Sequence, residues 1–341
     1  MAEQPTTSQT SATPPALPQR GVAGVFGALV AGLAVGALAW LAIVKGNQYP
    51  LLIGFTLIMP VPLFMVGLGV GRADALVAAV SAMASLAFFL NIQIMLFLTA
   101  VYILPVLLLS LLALRHRYDD NGNLFWYPAG RLVAALVLYP IMAYGCFSLM
   151  IGDKGVEHFL HEMLVSHIQG VLASPQVAVQ IQGQENPELA AQITAGLVAL
   201  LPGMMILGWI VSMLTSALWT QFSLLSNKTA LRPLPHLDEF DIPGWLLPLF
   251  AIMVLLSFFY EGQVSFFARN TLLPLVVPYF ILGVSLFHLW AGRRKNKMLF
   301  LVLFYLLLST VYPIVLVALV GVLEPWLHLR QRINGKTKPA L

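Results

Sequence analysis

Ionised side chains are scarce in this 341-residue chain: 9% of residues are Asp, Glu, Lys or Arg, whereas 59% are hydrophobic. A soluble domain carries about 25% charged residues. A surface so poor in charge cannot be hydrated over its whole area. The shortage excludes a soluble globular enzyme, a nucleic-acid-binding domain and a disordered chain. Cysteine is nearly absent too. The single Cys146 excludes an internal disulfide and any cysteine-based zinc or iron–sulfur centre within one chain. Its apolar sequence neighbours mark it as a small packing residue. No phosphate-binding loop, Ser-His-Asp set or pair of intramembrane carboxylates is present. No Asp or Glu at mid-membrane depth marks a proton relay. The expectation is therefore neither an ion-coupled pump nor an enzyme, and no cofactor is implied.

What is abundant is apolar sequence free of charge. Crossing a hydrocarbon layer of roughly 30 Å takes about 20 helical residues. Charge-free stretches run over 21–44, 46–71, 75–114, 132–152, 189–227, 242–260, 270–292 and 298–323. At about 1.5 Å per residue the stretch 75–114 is twice the length of one crossing. Its polar break Asn91-Ile92-Gln93 is the place for it to turn. The expected spans are about 22–44, 50–70, 74–90, 94–114, 132–151, 190–222, 244–260, 271–291 and 298–321. The fold class is an all-α polytopic membrane protein with about nine transmembrane helices, or eight if one segment does not cross.

Lys and Arg set the orientation. With the N-terminus in the cytoplasm, the cytoplasmic segments hold Arg20, Arg72, Arg115, Arg117, Arg131, Lys228, Arg232, Arg293, Arg294, Lys295 and Lys297. The external segments hold only Lys45, Lys154 and Arg269. One piece does not fit. The basic C-terminal tail 324–341 carries Arg330, Arg332, Lys336 and Lys338, and nine spans leave it outside. An even number of crossings would bring both termini inside. Residues 1–21, rich in Thr, Ser, Pro and Gln, read as a disordered cytoplasmic arm ahead of a helical bundle over 22–323.

The external segment 152–190 is amphipathic in its first half, with Val156, Phe159, Leu160, Met163, Leu164, Ile168, Val171 and Leu172 at helical spacing. It reads as a helix on the outer membrane surface, or as a lid over a cavity. His158, His161, Glu162 and His167 read as a solvated polar face rather than a metal site, although His158 and Glu162 could share a face and bind one ion weakly. His161-Glu162 is followed by a second His after six residues, which turns a helix by about 240° and points the rings apart. Further along, Pro187 and Glu188 follow Asn186 as a helix start. The run Arg232-Pro233-Leu234-Pro235 favours an extended connector.

Several groups are candidates for function. Asn91 and Gln93, with Tyr102, and Gln263 and Asn270 fall on one external side and make a candidate ligand pocket with aromatic walls. The alternative is interfacial loops, where polar and aromatic residues gather anyway. Gly24, Ala28, Gly32 and Gly36 make one smooth face on span one. It serves close internal packing or the docking of a partner subunit. Pro60 and Pro62 kink span two. The basic loop Arg293–Lys297 suits anionic lipid headgroups.

Several strings together resemble a known family. They are Pro62-Leu63-Phe64 with Gly67, Gly69 and Gly71, then Asn121-Gly122 and Trp126-Tyr127-Pro128-Ala129-Gly130-Arg131. Leu231-Arg232-Pro233-Leu234-Pro235 and Ile242-Pro243-Gly244-Trp245 follow, then Asn270, Gly283 and His288, and last Gly321-Val322-Leu323-Glu324-Pro325-Trp326 with Leu329-Arg330. Over about residues 22–332 the chain resembles the YybS-like family of bacterial inner-membrane proteins in its alphaproteobacterial form. The resemblance implies distant similarity to the substrate-binding S components of energy-coupling-factor transporters and to MreD-type proteins. It thus implies a partly S-component-like bundle in the bacterial inner membrane. Two functions follow as expectations. One is a small-molecule binding or transport subunit, energised by a membrane coupling subunit docked on the Gly24/Ala28/Gly32/Gly36 face. The other is a membrane scaffold that recruits cell-envelope or morphogenesis proteins through a cytoplasmic motif, Trp126, Tyr127, Pro128, Gly130 and Arg131. No nucleic-acid partner is expected.

Overall fold

The computed structural model describes residues 22–46, 48–152, 155–172, 187–235 and 240–334. The expected arm 1–21, part of the segment 152–190 and the end of the tail lie outside them. The described chain is almost wholly helical. In order it forms α1 (Val22–Lys45), α2 (Pro50–Gly69), α3 (Arg72–Phe89) and α4 (Ile92–Ala113). A β-hairpin follows, β1 (His116–Tyr118) and β2 (Leu124–Trp126). Then come α5 (Ala129–Ile151), α6 (Gly155–Leu172) and α7 (Pro187–Ser226). The last elements are α8 (Leu246–Phe259), α9 (Gly262–Ala291), α10 (Lys297–Leu307), α11 (Val311–Leu327) and α12 (Leu329–Asn334).

Every one of the expected apolar segments is helical, and the chain is a multi-pass membrane protein. Among the described residues seven helices are long and apolar enough to cross a bilayer, with α7 counted from Thr194. Two segments depart from a full straight span. α8 has 14 residues, about 21 Å of helix. The segment expected to cross at 298–321 is instead broken into α10 and α11, bent by 113°. The break has a local cause. Ser309 and Thr310 turn their hydroxyls onto the Leu306 and Leu307 carbonyls at 2.7 and 2.9 Å. They thereby close the end of α10, and Pro313 then lies in the first turn of α11, where no amide is needed. The expected turn at Asn91 is present: its side chain accepts from the Ile94 amide at 2.8 Å and caps α4. The hairpin is the one addition to the all-α expectation among the described residues.

The chain divides into two compact units. The first takes the residues up to Tyr127 together with Thr220–Pro233, and the second takes Pro128–Trp219 and the chain from Leu234 onward. In the first unit α1 packs on α3 through small residues. Ala28 and Val35 are fully buried. Side chains at Gly32 and Gly36 would overlap Ser81 and Ser85. Both serines use the closeness: Ser81 Oγ donates to the Leu29 carbonyl at 3.0 Å and Ser85 Oγ to the Gly32 carbonyl at 2.8 Å. Helices in lipid gain by this kind of approach because no hydrophobic effect drives them together.

In the second unit α9 is central and packs on α5, α8 and α11. Tyr144 of α5 stacks on Phe267 with ring centres 5.0 Å apart. Phe250 of α8 meets Tyr279 edge-on at 5.5 Å. The α9–α11 crossing brings backbones into contact. A Cβ on Gly283 would strike the Val317 carbonyl oxygen, and one on Gly321 the Tyr279 carbonyl oxygen.

Candidate functional site

The hairpin end of the first unit is built from the α4 terminus outward. His116 pairs with Trp126, Arg117 with Phe125 and Tyr118 with Leu124. Strand alternation puts His116, Tyr118, Leu124 and Trp126 on one face and Arg117 and Phe125 on the other. The tip closes on Asp119. Its carboxylate accepts from the Asn121 amide at 3.0 Å, the Asn123 amide at 2.7 Å and Asn123 Nδ2 at 2.9 Å. Gly122 supplies a φ of +79° that other residues avoid. The Asn123 side chain, then its backbone amide, hold the Asp119 carboxyl below the usual carboxylate range. This closure is present at neutral pH and is lost as pH falls through that lowered value.

Arg232 fixes the hairpin from the far side of the sequence. It is 7% exposed. Nη1 donates to the Ala113 carbonyl at 2.9 Å and Nη2 to the Tyr127 carbonyl at 2.8 Å. The guanidinium sits 5.9 Å from the Trp126 ring centre. The Arg232 carbonyl in turn accepts from Gln221 Nε2 at 2.5 Å. Arg72 donates to the Leu114 carbonyl. Two guanidinium groups therefore meet the C-terminal end of α4, where free carbonyls and the helix dipole are negative. Burial pushes the Arg232 pKa down, yet a guanidinium stays charged at neutral pH. The other hairpin face is open: Phe125 is 49% exposed beside exposed Arg115 and Arg117.

The motif Trp126–Arg131 straddles the two units. Trp126 and Tyr127 close the hairpin, the Tyr127 amide donating to the Arg115 carbonyl at 2.8 Å. Pro128 opens α5, its carbonyl accepting from Arg131 and Leu132 at 3.1 and 3.2 Å. Gly130 is buried where the Asp241 carbonyl passes, leaving no room for a Cβ. Arg131 is exposed. Near the end of the chain, Glu324 accepts from the Leu329 and Arg330 amides at 2.8 and 3.1 Å. Arg330 donates to the Phe240 carbonyl. Arg232, Gly130, Glu324 and Arg330, each part of a string that carries the family resemblance, thus meet main-chain groups.

The second place is a crossing of two proline-containing helices in the second unit. α7 holds Pro202 and α9 holds Pro274 and Pro278. Asn270 joins them. Its Oδ1 accepts from the Gly203 amide at 2.9 Å, and its Nδ2 donates to the Ala199 carbonyl at 3.1 Å and the Phe266 carbonyl at 3.0 Å. One carboxamide thereby bridges an amide and a carbonyl that lie one helical turn apart on α7, the pair a helix would join directly. The Gly203 position is open to this approach because a Cβ there would lie 2.8 Å from the Asn270 carbonyl oxygen. Thr271 Oγ1, Tyr279 Oη and Tyr144 Oη are buried nearby in sequence or on the facing helix without a hydrogen-bond partner. An Asn270→Leu chain loses three bonds and leaves buried main-chain groups unpaired, a cost of about 1–3 kcal/mol. A lowered midpoint of thermal unfolding in detergent is the expected reading.

The candidate pocket residues are distributed between the units. Asn91 and Gln93 are exposed and Tyr102 half-buried in the first. In the second, Gln263 donates to the Gly152 carbonyl at 3.2 Å and Asn270 is committed to the α7–α9 bridge. The Gly24/Ala28/Gly32/Gly36 face is not free as a docking surface. Val70, Ser81, Ser85 and Phe89 already lie against its glycines, so a partner subunit would have to displace α3. Small residues pair here with small residues of the same chain. In α6, Val156 and Leu160 are buried and His158 Nε2 lies 3.2 Å from Glu162 Oε1 on the exposed side. Among the described residues no three His, Cys, Asp or Glu side chains gather as metal ligands; the His167 side chain lies outside them.

Apolar helices of spanning length, tied by main-chain caps and small-residue crossings, define an integral polytopic helical membrane protein. The family described as predicted membrane protein DUF2232 matches residues 37–324, and the chain belongs to it. No curated protein and no solved structure matches the chain significantly.

Proposed function

We propose that this protein is a bacterial inner-membrane scaffold that presents the hairpin to cytoplasmic partners, with its N-terminus in the cytoplasm. The supporting observation is the way Arg232 fixes the hairpin. A buried guanidinium, two main-chain carbonyls and Trp126 hold one face rigid while Arg115, Arg117 and Phe125 stay exposed on the other side. Rigid exposed arginine and aromatic groups are the residue types that anchor protein contacts. The orientation rests on the Lys and Arg bias of the loops, and the bacterial inner membrane on the YybS-like resemblance. A photo-crosslinking amino acid at Phe125 is expected to give a discrete protein adduct in cells, and Arg117→Glu to abolish it. Adducts to lipid alone, or an adduct indifferent to both Arg117→Glu and Arg232→Met, overturn the reading.

A second reading has its own support. The α7–α9 crossing carries prolines in both helices and unpartnered hydroxyls on Thr271 and Tyr279. Interrupted helices of this sort hold substrates in transporters. On this reading the chain is a small-molecule binding subunit of the S-component kind. A small molecule retained through detergent purification, lost in Thr271→Val and identified by mass spectrometry, would favour it over the scaffold.

A further inference from the structure

The ends of the second unit can be told apart by contacts. Gln263, at the start of α9, reaches the Gly152 carbonyl just past the end of α5. Tyr144 stacks on Phe267. α5 and α9 are therefore antiparallel, and the C-terminal end of α9 lies toward Gly130. The Asp241 carbonyl rests on Gly130, and Arg330 donates to the carbonyl of the adjacent Phe240. Arg330 thus shares the end of the unit where α9 finishes.

α10 begins from that same end. It leaves the turn after Ala291 and runs back along α9. Phe300 meets Trp290 edge-on at 5.2 Å, Phe304 stacks on Phe287 at 3.9 Å, and Tyr305 Oη lies 3.2 Å from His288 Nε2. Its 11 residues cover about 16 Å, half of a hydrocarbon layer of roughly 30 Å. The chain then bends by 113° into α11, which leads back to Arg330.

We infer that Lys297–Leu327 is a re-entrant hairpin, and that it joins Arg330 and Arg332 to Arg293, Arg294, Lys295 and Lys297 in one basic surface that takes the phosphate headgroups of anionic phospholipids. Arg330 and Arg332, which a ninth crossing would strand on the external side, fall at the end of the unit that carries the Arg293–Lys297 loop. The surface has the chemistry of a headgroup site. Arg294 lies over the Trp290 ring at 4.8 Å from its centre, and tryptophan belongs at the boundary between headgroups and acyl chains. Met298, Leu299 and Val302 are exposed beside the cations and offer the chains an apolar wall. Glu324, the acid closest in sequence to the tail arginines, directs both oxygens to the Leu329 and Arg330 amides.

Two measurements test this on the full chain. In a Cys146→Ser background, Lys295→Cys and Arg332→Cys are expected to react with a membrane-impermeant maleimide from the same side of oriented vesicles. Reaction from opposite sides overturns the hairpin. In native mass spectrometry, phosphatidylglycerol is expected to stay bound where phosphatidylcholine does not. Each of Arg294→Gln and Arg332→Gln should weaken its retention about fivefold, the effect of one interfacial cation. Lys45→Gln, at the end of α1 and outside this set of cations, should leave it unchanged. Equal retention of the two lipids, no effect of the two variants, or full displacement by inorganic phosphate overturns the lipid assignment.

Discussion

Replacing Arg232 with Met should free the hairpin from α4 and cost the protein about 3–5 kcal/mol, the scale seen when one partner of a buried charged contact is removed. The Ala113 and Tyr127 carbonyls would lose their shared donor, and Trp126 its cation. Hydrogen bonds to a charged group contribute about 1.5–3 kcal/mol each, so two of them account for the total. Hydrogen exchange over 115–127 is the sharpest readout, with the amides of β1 and β2 losing protection while those of α9 keep theirs. Arg232→Lys should rescue little. An ammonium is a single point and cannot reach two divergent carbonyls while lying against an indole. Full rescue by Lys would mean that charge alone, rather than the planar fork, holds the hairpin.

The second large effect is expected at the α9–α11 crossing. A side chain on Gly321 meets the Tyr279 carbonyl oxygen and one on Gly283 meets the Val317 carbonyl oxygen. The obstacle is backbone in both directions, so no rotamer change relieves it. Gly321→Leu should therefore destabilise by at least the 1–3 kcal/mol typical of overpacking, and Gly283→Ala by a smaller part of that. Gly208→Ala is the matched control. Nothing lies within 4 Å of that position, and alanine is the better helix former by about 1 kcal/mol. Unfolding midpoints in one detergent should rank Gly208→Ala at or above the parent chain and Gly321→Leu well below it.

Most of the architecture is readable from where charge is missing. Charge-free stretches marked the long apolar helices, while α6 and α12, which carry charge, lie outside them; the turn at Asn91 followed from one polar break plus a length limit. Two features were harder to read for a physical reason. Ser309 and Thr310 sit inside an apolar run and carry no charge, so hydropathy passes over them; their effect arises only when their hydroxyls fold back on α10. The hairpin is too short to show a period of two, although Asn121-Gly122 is a known turn pair. The contacts of the candidate site residues were the least legible. Asn270 is a polar residue beside an apolar run, which the sequence presents as a pocket lining; its bonds to Gly203 and Ala199 depend on a helix about seventy residues away. The small-residue face of α1 was legible as a contact face, but its occupant was not. Arg232 was visible as a cytoplasmic cation and as one residue of a Leu-Arg-Pro-Leu-Pro string. Its burial comes from α4 and the hairpin, which no local pattern reveals.

α8 has a consequence for the surrounding lipid. Its fourteen residues offer about 21 Å of apolar length, and Phe258 and Phe259 at its end are largely exposed. A crossing by so short a segment obliges the two leaflets to draw together beside it, at a fraction of a kcal/mol for each Å of mismatch. Membranes of short acyl chains relieve that deformation and thick ones aggravate it, so chain length of the host lipid becomes a handle on this protein's stability.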